Sequence, residues 1–230
     1  QFSPGPAMLE ARPVTDFDDY IEQTRQVVDQ NLAAVQNFDR ERQVAWNLPF
    51  RQAPGDSCPN ETSTGVLLVH GLSDSPFVFR DLAERLSKAC IEVRTLLLQG
   101  HGTRPGDMVR ADADVWRAQV EAHFAALARD VDHPWIGGFS LGGSLATDYA
   151  LSGQQPRPTG LITLAPAWRL NGLSNYLWLA PIADAFADFV EQEPELNPVK
   201  YESFAYNAGT QIARVLSRTQ QRVESQATID

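Results

Sequence analysis

Short, continuously apolar runs alternate with amphipathic stretches between residues 65 and 166, and this alternation constrains the fold more than any other feature. The predicted strands are 65–71, 91–100, 133–140 and 159–166, and the predicted helices are 75–89, 111–131 and 141–152. A strand that is apolar throughout must be covered on both faces, which is typical of a parallel sheet between layers of helices. The sequence therefore predicts an α/β fold with a mostly parallel sheet.

The segments that flank this alternation predict the domain organisation. The predicted units are an arm and helix in 1–42, the core in 43–166, a helical cap in 167–220 and the start of further core in 221–230. The arm is rich in proline and is expected to be extended, with a helix over 15–38 after it and a short strand in 42–52. Residues 167–220 show helical pieces and no obvious strand, and they are too long for an ordinary connection. Such a segment is a lid over an apolar pocket or simply packs on the sheet.

Charge and cysteine content restrict the partners. The net charge is −10, with no cluster of lysine and arginine, which argues against binding to nucleic acid or to anionic membrane surfaces. Cys58 and Cys90 are two separate thiols or one disulfide, and a disulfide would favour a secreted or periplasmic location. The sequence begins at Gln1, so an export signal or membrane anchor would lie before it. No cysteine–histidine cluster or phosphate-binding loop is present, so we expect neither metal nor cofactor.

The pentapeptide Gly138-Phe139-Ser140-Leu141-Gly142 matches G-x-S-x-G, with a predicted strand before it and a predicted helix after it. A serine at such a turn must adopt a strained backbone conformation so that its hydroxyl stands clear of the sheet. Gly138 and Gly142 remove Cβ atoms that would collide with neighbouring elements. The motif predicts a nucleophilic Ser140, with a structural glycine-rich turn as the alternative.

A nucleophilic serine also needs donors for the oxyanion that forms on its substrate. The backbone N–H of Leu141, directly after the serine, is one candidate. The second candidate is the N–H of Leu72, in the His70-Gly71-Leu72 loop that follows the first apolar strand. Gly71 would let the backbone turn toward the serine, and His70 would hold that turn.

The stretch "GVLLVHGLSDSPFVFRDLAERLSKACIEVRTLLLQGHGTRPGDM", followed by "GGFSLGG", resembles the α/β-hydrolase superfamily. Within that superfamily it is similar to the carboxylesterase and monoacylglycerol-lipase group. The resemblance implies an α/β-hydrolase fold, a nucleophile at Ser140, oxyanion donors at Leu72 and Leu141, and a cap over an acyl-binding pocket. Aromatic residues of the predicted cap are candidates for lining that pocket, namely Trp168, Tyr176 and Trp178.

The general base is the part of the site that the sequence does not supply. His70, His101, His123 and His133 all precede Ser140, whereas the superfamily order is serine, then acid, then histidine. We expect His70 and His101 to be structural, His123 to be half-exposed on a helix, and His133 to precede the nucleophile strand. The sequence is therefore expected to stop before the catalytic acid and histidine, and the natural protein is expected to be longer.

The function that these features predict is hydrolysis of carboxylic esters through an acyl-enzyme on Ser140, with a small ester or lipid-like molecule as substrate. Thioester or amide cleavage would use the same intermediate and stays open. A non-catalytic module that binds a lipid or a partner on the same fold is the third possibility. The sequence leaves the oligomeric state open.

Overall fold

The computed structural model describes residues 1–55, 57–58, 62–168 and 187–227 of the chain. The helices are α1 (Phe17–Asn31), α2 (Arg40–Asn47), α3 (Arg80–Lys88), α4 (Ala113–Asp130), α5 (Leu141–Ala150) and α6 (Tyr206–Ala227). The strands are β1 (Arg51–Gln52), β2 (Thr64–Val69), β3 (Ile91–Leu96), β4 (His133–Phe139), β5 (Gly160–Leu164), β6 (Phe189–Glu191) and β7 (Phe204–Ala205). None of these described helices is both long enough and apolar enough to cross a membrane.

The main sheet has the strand order β1-β3-β2-β4-β5, in which β1 is antiparallel to β3 and the other pairs are parallel. The predicted mostly parallel sheet is therefore confirmed. At the carboxyl end of the central pair, Val69 of β2 lies opposite Gly138 of β4. Because His70 and Ser140 follow these two positions closely, the loops that carry them leave the same edge of the sheet.

Both faces of β2 are buried, as its continuous apolar pattern predicts. Leu67 and Val69 belong to a cluster with residues of α4, α5 and α6, including Trp116 and Phe124. The alternate residues of the strand, Val66 and Leu68, belong to a second cluster with α3 and the 3-10 turn before it. The strand therefore contributes residues to the hydrophobic clusters on both sides of the sheet. Because it is buried on both faces, the position at which the loop after it begins is fixed.

The prediction for residues 15–52 is wrong in two places. The first helix ends at Asn31, not at residue 38, and most of the predicted strand 42–52 is the helix α2, leaving two residues for β1. Arg40 donates to the carbonyl of Leu32 at 3.2 Å, so the chain turns back on α1 there. The side chain of Asp39 accepts the N–H of Arg42 at 2.8 Å, and this cap starts a new helix.

Residues 1–14 form neither helix nor strand, and this extended arm is bonded to the core. The N–H of Gly5 donates to the Asp107 carboxylate at 2.6 Å. The N–H of Gly106 donates to the carbonyl of Gln1 at 3.0 Å, and the ring of Phe2 lies 5.2 Å from that of Phe189. The arm is thus an integral part of the fold.

The described part of the segment 167–220 differs from the sequence-based expectation. It contains β6 and β7, which pair antiparallel, although no strand is predicted there. Helix α6 continues through residue 220, where a boundary is predicted, and it buries Ile212, Val215 and Leu216 in the core shared with α4 and α5. The division into core and cap otherwise stays a prediction, since 169–186 lie outside the described residues.

Charged side chains fix α6 against the helices beneath it. Arg214 and Arg218 contact the carboxylate of Asp114 at 2.8 and 3.0 Å. Arg222 bonds the buried carboxylate of Asp148, which also accepts Arg117 at 2.8 Å. Exposed ion pairs are worth only about 0–1 kcal/mol, so these pairs orient the helix, while its buried apolar residues Ile212, Val215 and Leu216 supply its main attachment to the core.

Cys58 and Cys90 form a disulfide, which decides between the two alternatives that the sequence leaves open. Their Cα atoms are 5.4 Å apart and their sequence separation is 32 residues. The bond joins the loop before β2 to the residue between α3 and β3. It therefore closes the first strand–helix unit of the sheet into a covalent loop.

We expect the double substitution Cys58→Ser and Cys90→Ser to lower the free energy of unfolding by about 2–4 kcal/mol, because the unfolded chain loses a cross-link. Urea denaturation of both proteins without reductant measures the difference. Adding a reductant to the denaturation of the wild-type chain serves as the control and is expected to give the same loss. Two reactive thiols in the denatured, unreduced wild-type chain would contradict the bond itself.

Candidate active site

Ser140 occupies a sharp turn between β4 and α5, with φ 51° and ψ −116°. A left-handed conformation of this kind is costly for a residue with a side chain, by about 1–3 kcal/mol. Three backbone hydrogen bonds hold it. Its N–H donates to Leu164 at 3.0 Å, and its carbonyl accepts the N–H groups of Ser144 at 3.2 Å and Ala167 at 3.1 Å. The turn is therefore fixed by β5, by α5 and by the segment after β5.

Two glycines make this turn possible, as the sequence predicts. A Cβ on Gly138 would lie 2.3 Å from the carbonyl carbon of Gly142. A Cβ on Gly142 would lie 1.9 Å from the carbonyl oxygen of Val69 and 2.6 Å from that of His70. The first turn of α5 thus rests directly on the end of β2, so the serine and the His70 loop are neighbours.

The two predicted oxyanion donors lie on the elements that meet here. Leu141 is in the first turn of α5, where backbone N–H groups have no partner within the helix. Leu72 follows Gly71, whose Cβ position would lie 3.0 Å from the ring of Phe139. Neither N–H finds an acceptor among the residues that the structure describes, and neither does the half-buried Ser140 hydroxyl make a hydrogen bond there. These two N–H groups therefore stay candidates for binding an oxyanion.

His70 is a structural residue with both ring nitrogens engaged. Its Nε2 accepts the N–H of Leu98 at 3.1 Å, so Nδ1 carries the proton and donates to the carbonyl of Gly71 at 2.8 Å. Burial lowers the pKa of His70 well below its usual value, with a smaller contribution from His101. The neutral ring joins the loop after β2 to the loop after β3.

His101 lies beneath the same loops, with its ring 4.9 Å from that of His70. Its Nδ1 contacts the carbonyl of Gln99 at 3.1 Å, and its buried Nε2 has no partner among the described residues. Burial lowers the pKa of His101 to about 4. This ring is therefore neutral near pH 7, and it makes no contact with Ser140 in the described part of the chain.

The expectation that His123 is half-exposed is wrong. It is 4% exposed, because α1 covers α4 at this point and the ring of Tyr20 lies 4.1 Å away. Burial, and secondarily the charge of Arg94, lower the pKa of His123 to about 3. His133 is the first residue of β4, where the predicted strand 133–140 begins, and its side chain is exposed. Within the described residues, the structure places no histidine beside Ser140.

An acidic side chain that the sequence analysis did not single out lies in the same loop. The Oδ2 atom of Asp74 is 3.0 Å from the Cβ position of Gly71. Burial raises the pKa of Asp74, and Lys200 opposes this effect. The sequence signal that could have identified Asp74 is its place in the same loop as the predicted donor Leu72, four residues after His70. Its carboxyl group therefore adds a titratable group to the neighbourhood of the predicted donors.

The predicted pocket residues are not confirmed. The indole N–H of Trp168 donates to the hydroxyl of Thr147 at 3.3 Å, two helical turns along α5 from Ser140, and the residue is 48% exposed. The indole of Trp168 therefore lies along α5, although the preceding residue, Ala167, bonds the Ser140 carbonyl, and a role of Trp168 in a substrate pocket stays a prediction. Tyr176 and Trp178 lie outside the described residues. Within the described ranges, no group of histidine, cysteine, aspartate and glutamate has a metal-binding arrangement.

We expect Gly142→Ala to lower the free energy of unfolding by about 4 kcal/mol or more, because its methyl group would overlap the Val69 carbonyl. Gly55→Ala is the matched control, since the nearest atom to that methyl is 3.9 Å away, and we expect a change below about 1 kcal/mol. Urea denaturation measures both. Equal losses in the two variants would contradict the close packing of α5 on β2.

Stability is expected to fall as the pH is lowered from 6.5 to 5. Burial lowers the pKa of His70, His101 and His123 in the folded chain, so the unfolded chain binds more protons in this range. Each of these histidines changes the free energy of unfolding by at most about 1.4 kcal/mol per pH unit. Urea denaturation at several pH values gives the slope, which His123→Leu is expected to reduce by about one third. The exposed His133→Gln is the control, and a slope unchanged in His123→Leu would refute the assignment.

Comparisons with known proteins agree with the fold. Residues 66–225 match the alpha/beta hydrolase family. A thermostable monoacylglycerol lipase of Bacillus sp. (strain H-257) is 29% identical over 163 residues, which cover 70% of this chain and 64% of that protein. The chain thus spans less than two thirds of the length of this curated relative.

Solved structures share the architecture at lower identity. A structure from work on LipS and LipT, two metagenome-derived lipolytic enzymes, gives a TM-score of 0.64 at 23% identity and covers 76% of this chain and 69% of its own. A monoacylglycerol lipase of Paleococcus ferrophilus gives a TM-score of 0.59 at 19% identity, and the match covers 76% of this chain and 72% of that one. These likenesses support the fold, and the family match extends over more than half of the sequence. The chain belongs to the alpha/beta hydrolase family.

Proposed function

We propose that this chain is a serine hydrolase that cleaves carboxylic esters, with Ser140 as the nucleophile. The observation that carries the proposal is the left-handed backbone of Ser140 at the head of α5, fixed by three hydrogen bonds. A strained serine has no use in a simple structural turn, where glycine would adopt the same conformation at no cost. Strain of this kind is typical of a nucleophile that must stand clear of a sheet.

In the proposed reaction the Ser140 hydroxyl oxygen attacks the ester carbonyl carbon, and the carbonyl oxygen becomes an oxyanion. The N–H groups of Leu72 and Leu141 donate to it, and each such donor is worth about 3–4 kcal/mol in enzymes where one has been removed. The alcohol leaves with the proton that a general base took from Ser140, and this base must be a group other than the four histidines of the sequence, since none of them lies beside Ser140. Water then attacks the acyl-enzyme, and the carboxylic acid is released.

The substrate class that we propose is a small ester with an apolar acyl chain. A relative and one of the structural neighbours are described as monoacylglycerol lipases, which makes a monoacylglycerol the first ester to assay. Thioesters and amides could enter the same acyl-enzyme route, so they form the comparison panel.

A second candidate function is a binding module on the same fold, and the histidines favour it. His70 has both nitrogens engaged, while His101 and His123 are buried and neutral. None of them contacts Ser140 within the described residues. Without a base, Ser140 would be inert, and the site would hold a ligand without converting it.

We expect a fluorophosphonate to label the wild-type chain on Ser140 and to leave Ser140→Ala unlabelled. Hydrolysis of a short-chain ester is expected to fall at least about a thousandfold in the same variant. Ser152→Ala, at the other end of α5, is the control and is expected to keep both properties. Intact-mass and peptide mapping locate the label.

Two other results would change the conclusion. A folded wild-type chain that binds a monoacylglycerol but takes no label on Ser140 would establish the binding module instead. Labelling together with faster turnover of a thioester than of the matched ester would move the proposal to thioester hydrolysis.

A further inference from the structure

The loop that carries Leu72 is held from outside by the segment that leads into β7. The N–H of Tyr201 donates to the carbonyl of Ser73 at 2.9 Å. Ser73 has φ 62°, which is again a left-handed conformation for a residue with a side chain. The loop also closes on itself, because the N–H of Asp74 donates to Gly71 at 3.3 Å. A strained loop of this kind keeps its shape only while its surroundings fix it.

The phenol of Tyr201 is anchored in the loop after β3. Its oxygen accepts the N–H of Thr103 at 2.8 Å and contacts the carbonyl of Gly100 at 3.2 Å, to which it can donate. Its ring stacks on that of His101, with centroids 6.5 Å apart and planes within 11°. Burial raises the pKa of Tyr201, so the hydroxyl keeps its proton. The residue therefore joins the loop after β2 to the loop after β3.

The anchor extends to the N-terminal arm. The hydroxyl of Thr103 lies 3.2 Å from that of Tyr201 and donates to Asp107 at 2.6 Å. The second oxygen of the Asp107 carboxylate accepts the N–H of Gly5 at 2.6 Å. Asp107 is buried, and so is Thr103. Asp107, Thr103 and Tyr201 thus link the arm to Ser73, with the backbone N–H of Thr103 as the donor to the phenol.

We propose that Tyr201 is a positioning residue for the oxyanion site: its phenol fixes residue 201, its backbone N–H fixes the Ser73 carbonyl, and Ser73 fixes the adjoining N–H of Leu72. This inference rests on the proposed function, because Leu72 is an oxyanion donor only if Ser140 forms an acyl-enzyme. Tyr201 itself touches neither the substrate nor the reacting atoms.

The test is Tyr201→Phe in the full chain, with two independent measurements. Hydrogen exchange of peptides covering 70–79 and 197–203 is expected to accelerate about tenfold or more, while a peptide from β4 stays protected. The rate constant for fluorophosphonate labelling of Ser140 is expected to fall about ten- to a hundredfold, and kcat for a short ester should fall with little change in KM.

Tyr149→Phe is the matched control. It removes another buried tyrosine hydroxyl, which donates to Pro156 at 2.8 Å, away from the loop after β2. We expect unchanged exchange in 70–79 and unchanged labelling. Thr103→Val is the milder second variant, should Tyr201→Phe fail to fold. It keeps the N–H that binds the phenol but removes the hydroxyl, so smaller changes in the same direction are expected.

Unchanged hydrogen exchange of residues 70–79 in Tyr201→Phe would overturn the proposal, whatever the esterase activity of that variant. Faster exchange with an unchanged labelling rate would overturn it as well, since the loop would then be held by Tyr201 without positioning a donor. A wild-type chain that does not label would overturn the proposed function and the oxyanion role with it. The exchange data would still show in that case whether Tyr201 holds the loop.

Discussion

The contact between the first turn of α5 and the end of β2 is the constraint on which the candidate site depends. It exists because residue 142 has no side chain and the carbonyl of Val69 occupies that space. The parallel register of β2 and β4 sets the two elements at the same height. Strain of about 1–3 kcal/mol at Ser140 is then offset by three backbone hydrogen bonds of about 0.5–1.5 kcal/mol each. The hydrogen bonds therefore offset the backbone strain of Ser140, and the close packing at residue 142 sets the position of the turn.

The parts of the fold that the sequence predicts correctly are those built from apolar residues. The strands β2 to β5 and the helices between them follow apolar patterns that have one structural solution. Helix α2 escapes such an analysis because its buried face consists largely of polar residues. Gln43 bonds the carbonyls of Val35 and Phe38, and Asn47 bonds that of Pro198 at 2.7 Å. These partners replace hydrophobic burial, and periodicity cannot detect them.

The same reason explains how much of the candidate site was predictable. Ser140, Leu141 and the glycines belong to one local motif, so their geometry follows from the sequence. The burial of His123 depends on the packing of α1 across α4. The rings of Phe17 and Tyr20 that cover it belong to residues about a hundred positions earlier in the chain. Tyr201 bonds residues about a hundred positions earlier. Contacts of this range between polar groups leave no local signal, and the structure alone reveals them.

The N-terminal arm has a consequence for the order in which the chain folds during synthesis. Its partners Asp107, Arg110 and Arg129 lie about a hundred residues later in the chain. At a synthesis rate of about 5–20 residues per second, the arm waits roughly 5–20 s before those partners are made. Its prolines keep it from forming a helix during that interval. The arm can therefore bond Asn31 early, but it reaches these three partners only after residues 107–129 have been made.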